Sequence, residues 1–179
     1  MKTLVIHPDD RSTDFLRPIY KHVANLTLIT GEATRDEILD HIEINDRVFM
    51  MGHGSPMGLF GYNFGRPYVI YSDCVEVLRK KEHNVMYIWC HANQFVEHYD
   101  LKGMYSGMFI SEVAEANFCG VKDATQELVT ASNDWFANAC GNCINESIES
   151  VYTQVKDSYS VEAKYNPVAA YNHPLLNFK

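Results

Sequence analysis

The feature that most constrains this chain is a set of short, unbroken apolar runs, each stopping abruptly. Leu4-Val5-Ile6 stops at His7-Pro8, Val48-Phe49-Met50-Met51 at Gly52-His53-Gly54-Ser55, and Val85-Met86-Tyr87-Ile88-Trp89 at Cys90-His91. Runs of this length without polar alternation fit strands buried on both faces, which occur in parallel sheets covered by helices.

The segments between them have the matching character. Strand one is expected over 3–7, and Asp10-Arg11-Ser12-Thr13 offers capping groups for a helix over 14–24. Strand two covers 26–30. Thr34-Arg35-Asp36-Glu37 reads as a capping box opening a helix with Ile38, Leu39 and Ile42 on one face. Strand three covers 47–51. A glycine-rich excursion from Met57 to Pro67 reads as a hairpin or flap, with Phe60, Tyr62 and Phe64 alternating along it. Ser72-Asp73 caps a helix to about Lys81, strand four covers 84–89, and strand five 105–111. Helices are expected over 124–130 and 135–159, with Ser132-Asn133-Asp134 as a cap between them, and the last twenty residues as an extended surface segment. The fold class expected is α/β: a three-layer α/β/α sandwich with a mainly parallel sheet in the order 2-1-3-4-5, in one domain over 1–179.

Composition narrows the function. At 179 residues and 46% hydrophobic, the chain can bury a sizeable core. A net charge of −8 argues against nucleic-acid or anionic-membrane partners. No apolar stretch approaches the roughly 18 residues that span a bilayer, and the apolar part of the N-terminus is too short for a signal peptide. Five cysteines without framework spacing favour a reducing cytoplasm. No Walker loop, dinucleotide fingerprint or nucleophile elbow is present, so neither a cofactor nor a metal is expected. The Cys140-Gly141-Asn142-Cys143 pair lacks a second ligand pair for zinc and reads as helix core, as do Cys74 and Cys119 as buried thiols.

The chemistry sits at the strand ends. Functional groups in open parallel sheets gather past the carboxyl ends of strands. If strands three and four are neighbours, about 4.8 Å apart, His53 and Cys90 can form a dyad. A thiol with pKa near 8.5 is only a few per cent thiolate at neutral pH. A neighbouring imidazole can take its proton, or hold the thiolate as an ion pair, and then protonate the leaving amine. The N–H groups of Gly54 and Cys90 are the candidate oxyanion donors. His91 is expected to point away from His53 and act structurally.

Those residues resemble the caspase-like cysteine peptidases, among them caspases, metacaspases, legumains, gingipains and clostripain-like enzymes. Phe49-Met50-Met51-Gly52-His53-Gly54-Ser55 looks like the His-Gly strand end of metacaspases, and Cys90-His91 like the Cys-His of their nucleophile motif. The resemblance covers about 1–120. The His53–Cys90 spacing of 37 residues is shorter than the roughly 50 of caspases. Ile88 stands where metacaspases carry an acidic substrate-binding residue, and Ala92-Asn93 replace Ser-Gly. The resemblance implies a polypeptide substrate and a pocket, for the side chain before the cleaved bond, lined from after strand one and around strand five. Those places hold Asp9, Asp10 and Ser111-Glu112, an acidic set suited to arginine or lysine. Two other functions use the same residues: a catalytically silent binding module of this architecture, and a small-molecule amidase or transferase working through Cys90.

Overall fold

The computed structural model describes all residues, Met1–Lys179. Its strands are β1 (Thr3–Ile6), β2 (Leu26–Ile29), β3 (Arg47–Met51), β4 (Gly54–Ser55), β5 (Gly58–Phe60), β6 (Tyr68–Ile70), β7 (Val85–Ile88), β8 (Met104–Ser106) and β9 (Leu176–Phe178). Its helices are α1 (Arg17–Tyr20), α2 (Arg35–Ile44), α3 (Val75–Arg79), α4 (Ala92–His98), α5 (Val113–Phe118), α6 (Gln126–Cys143), α7 (Ile148–Glu162) and α8 (Pro167–Asn172).

The main sheet runs β2-β1-β3-β7-β8-β9. The first five strands pair in parallel and β9 is antiparallel on β8, so the sheet is mixed but mostly parallel. Side chains alternate across it, as strand geometry requires. Leu4, Ile6, Val48, Met50, Val85 and Tyr87 face one cluster, completed by Ile38 and Ile42 of α2, Leu78 of α3 and Phe95 and Val96 of α4. Val5, Phe49, Met51, Met86, Ile88 and Met104 face the other, completed by Ile19 of α1, Phe136 and Cys140 of α6, and Val151, Val155 and Tyr159 of α7. Helices therefore cover both faces. No helix is long and apolar enough to cross a membrane.

Local chemistry explains several boundaries. The Thr34–Glu37 capping box forms as its sequence dictates, with Glu37 accepting from the Thr34 N–H at 2.8 Å. Gly52 leaves β3 with φ of 141°, a conformation that favours glycine, and its N–H donates to Ile88 O at 3.0 Å. The glycine-rich excursion is a three-stranded antiparallel sheet, β4-β5-β6, with a 3-10 turn at Tyr62–Phe64 between β5 and β6.

Four expectations are corrected. The helix placed at 14–24 is a 3-10 turn over Arg11–Leu16 followed by the single turn α1. Strand five is only Met104–Ser106, and the Gly107 N–H continues its antiparallel register onto Leu175 O at 2.8 Å before the chain leaves the sheet. Ser132-Asn133-Asp134 do not cap a helix but lie inside α6, which runs unbroken to Cys143; Ser147 is the cap of α7. The C-terminal segment is not a surface strap: it forms α8 and then β9, with Asn172 gripping both the N–H and the C=O of Ile110 at 2.7 and 2.9 Å.

Candidate active site

Sheet register places the two expected catalytic side chains. Met51 and Ile88 are paired across β3 and β7, and His53 and Cys90 each stand two positions further along. Continuing the strand alternation gives both residues the parity of Met51 and Ile88, toward one side of the sheet. Trp89, with the opposite parity, packs into the other core and donates its indole N–H to Ser55 O at 3.1 Å. That contact ties β4, just past His53, to the residue before Cys90. A Cβ on Gly54 would overlap the Trp89 ring, so glycine is required for this approach.

His53, Gly54, Cys90 and His91 line one cleft of about 490 Å³. Its other walls are Pro8, Asp9 and Asp10 from the loop after β1, Phe60, Tyr62 and Asn63 from the small sheet, and Met108 and Glu115 from beyond β8. The Asn63 side-chain amide donates to Asp9 O and spans the cleft from flap to loop. Phe60 and Tyr62 face the cleft as a covering flap would, whereas Phe64 packs on the main core. His53 is held at its backbone by Phe60 N–H, 2.9 Å from His53 O.

The oxyanion candidates have the required freedom. The Cys90 N–H makes no hydrogen bond within the protein, while the next N–H, of His91, donates to Gly107 O at 3.1 Å. His91 adopts a left-handed conformation with φ of 66°, which turns the chain from β7 into α4. The Phe60–His53 bond marks those residues as a bonded pair of the antiparallel ladder. Gly54 therefore falls in the non-bonded pair with Leu59, and its N–H points out of the ladder.

No hydrogen bond joins His53 to Cys90. The thiol donates to Phe109 O at 3.6 Å, and His53 Nε2 lies 2.6 Å from Ser12 Oγ. Burial pushes the Cys90 thiol up to about 11, and the Glu115 carboxylate pushes it the same way. The thiol is thus protonated at neutral pH rather than resting as a thiolate. Its alkylation by iodoacetamide is expected to be slow at pH 7 and to keep accelerating past pH 10. A plateau in the rate below pH 8 would show a stabilised thiolate instead.

The acidic residues divide. Asp9 and Asp10 reach the cleft, but Asp9 pairs with Arg17 at 3.0 Å and Asp10 accepts from both the Ser12 N–H and the Ser12 hydroxyl. Glu112 lies outside it, at the start of α5, in a neighbouring hollow with Arg11 and Asp134. Glu115, one helical turn on, faces the cleft in its place. Its Oε2 accepts from the N–H and hydroxyl of Ser111 and the N–H of Glu112, leaving Oε1 uncommitted. Ile88 is 3% exposed and does not line the cleft; with Phe15 and Phe109 it floors a recess of about 20 Å³ between His53 and Cys90, room for about one water. Ser12, His7 and Glu115 belong to no catalytic motif, and no spacing in the chain points to them as site residues.

No cluster of histidine, cysteine and carboxylate suited to a metal ion is formed, and Cys140 and Cys143 are buried in α6. No protein-family model, no curated protein and no solved structure matches the chain.

Proposed function

We propose that this protein is a cysteine endopeptidase of caspase-like architecture, with His53 and Cys90 as its dyad. The observation that carries the reading is the matched position of these two residues, both two steps past register-paired strand ends and lining one cleft. The parallel strands β2-β1-β3-β7-β8 support the architecture.

The chemistry follows from the groups present. The Cys90 thiol swings from Phe109 O toward His53. Nε2 is engaged by Ser12, so Nδ1 takes the thiol proton as Sγ bonds to the carbonyl carbon. The N–H groups of Gly54 and Cys90 receive the oxyanion. The imidazolium protonates the leaving amine, the C–N bond breaks, and a thioester remains. Water, deprotonated by the same imidazole, then releases the acid and restores the thiol. The test is a peptide-based electrophile: it should label Cys90, and a fluorogenic peptide should be hydrolysed. Labelling without turnover would favour a silent module, and hydrolysis of small amides but not of peptides an amidase.

Specificity for a cation follows from the walls. Asp9, Asp10 and Glu115 line the cleft, and no lysine or arginine does. Lysine or arginine before the scissile bond should be preferred up to about a hundredfold over a neutral residue. Glu115→Gln keeps an acceptor for Ser111 and should remove most of that preference while leaving thiol labelling intact. A peptide library selecting aspartate or an aliphatic residue at this position would refute the acidic-pocket idea.

A further inference from the structure

Ser12 stands between two charged or chargeable groups. Its Oγ lies 2.7 Å from Asp10 Oδ1 and 2.6 Å from His53 Nε2. Its own N–H donates to the same Asp10 oxygen at 2.9 Å. A hydroxyl has one proton to donate. The hydrogen bonds from the Ser12 hydroxyl and N–H hold the Asp10 carboxyl below the usual carboxylate range, so at neutral pH it can only accept. Ser12 therefore gives its proton to Asp10, and its remaining lone pairs can only receive one from His53. An imidazole donating through Nε2 carries its lone pair on Nδ1.

We infer that Asp10 and Ser12 are positioning residues that hold His53 as its Nε2–H tautomer, leaving Nδ1 as the nitrogen able to accept a proton. Asp10 is then a support for the base, working through the serine. When Nδ1 gains a proton, the ring becomes a cation whose N–H···O–H···carboxylate chain ends on a negative charge, so the chain strengthens in the charged state. The turn that carries it is fixed: Asp10 caps the 3-10 turn Arg11–Leu16, and the Thr13 hydroxyl donates to Asp10 O at 3.0 Å. The catalytic meaning of the chain rests on the peptidase reading; the state of the imidazole does not.

The experiment is NMR of protein labelled with ¹⁵N-histidine, with His53 assigned by its absence in His53→Gln. Intact protein should show His53 as a single Nε2–H tautomer whose N–H proton is protected from exchange with water. In Ser12→Ala the second tautomer should appear and the proton should exchange about tenfold faster, as expected for losing one charge-assisted bond. Ser12→Thr should restore both, and Asp10→Asn should fall between. On a peptide substrate, Ser12→Ala should lower kcat about tenfold and leave KM nearly unchanged. An Nδ1–H tautomer in intact protein would overturn the inference. So would a His53 spectrum unchanged by both Ser12→Ala and Asp10→Asn; Asp10→Asn preserves shape and decides the matter alone if Ser12→Ala fails to fold. The predicted spectra without peptide turnover in any variant would keep the relay and discard the peptidase.

Discussion

Cys90→Ala should abolish peptide turnover, by at least about 10⁴-fold, with a protein that still folds. Cys90 lies past the end of β7, where its thiol makes one long bond to Phe109 O. Truncation removes one weak donor and one sulfur atom, and should cost about 1 kcal/mol of stability. His53→Ala should lower turnover about 10²–10⁴-fold, the range for a positioned general base. The loss should be near the upper end, because burial keeps the thiol protonated at neutral pH and little thiolate forms without a base. Nucleophile and base act as a unit, so the double variant should be no slower than Cys90→Ala alone. Turnover of a fluorogenic peptide and urea melts of the three variants decide the matter. If Cys90→Ala lost about 3 kcal/mol or more with turnover intact, Cys90 would be a packing residue.

The parts of this site that were legible in the sequence are those written by local pattern. The runs ending at His53 and Cys90 were visible because buried parallel strands read as continuous apolar segments. The cap of α2 was visible because Thr34 and Glu37 answer each other three residues apart. What escaped detection depends on partners distant in the chain. Ser132 and Asn133 look like a helix boundary, yet both are buried in α6, because Ser132 meets the Tyr159 hydroxyl at 2.5 Å and Asn133 donates to Ser111 O at 3.0 Å. β9 has three residues and follows Pro174, and its reason for existing is the free edge of β8. The exchange of Glu112 for Glu115 is one helical turn, a distance that spacing alone does not resolve. Ser12 is an ordinary loop serine until β1 and β3 bring it beside His53.

Lowering the pH from 7 to 4 should remove about 3 kcal/mol of stability through His7 alone. This histidine directly follows β1, is 3% exposed, and has both ring nitrogens engaged: Nδ1 with the Tyr20 hydroxyl at 2.9 Å and Nε2 with Thr13 Oγ1 at 3.0 Å. Thr13 gives its proton to Asp10 O, so it accepts from Nε2–H, and Tyr20 therefore donates to Nδ1. The neutral ring is satisfied, and a second proton would meet the Tyr20 donor. Burial, followed by the charge of Arg17, lowers His7 to about 4 from its ordinary value of 6.5. Between those values the unfolded chain holds the extra proton and the folded chain does not. The contribution is therefore complete above about pH 6.5 and is lost as the pH falls toward 4. Carboxylates titrate in the same range, so the comparison must be with His7→Gln, whose amide can donate and accept but does not ionise. Urea unfolding at pH 7 and pH 4 should show the gap between the two proteins shifting by about 3 kcal/mol in favour of the variant as the pH drops. Parallel pH profiles would mean that His7 takes up its proton without hindrance. Thr13 links His7 to Asp10, and Asp10 reaches His53 through Ser12, so the turn that meets the protonated His7 is the same turn that engages His53.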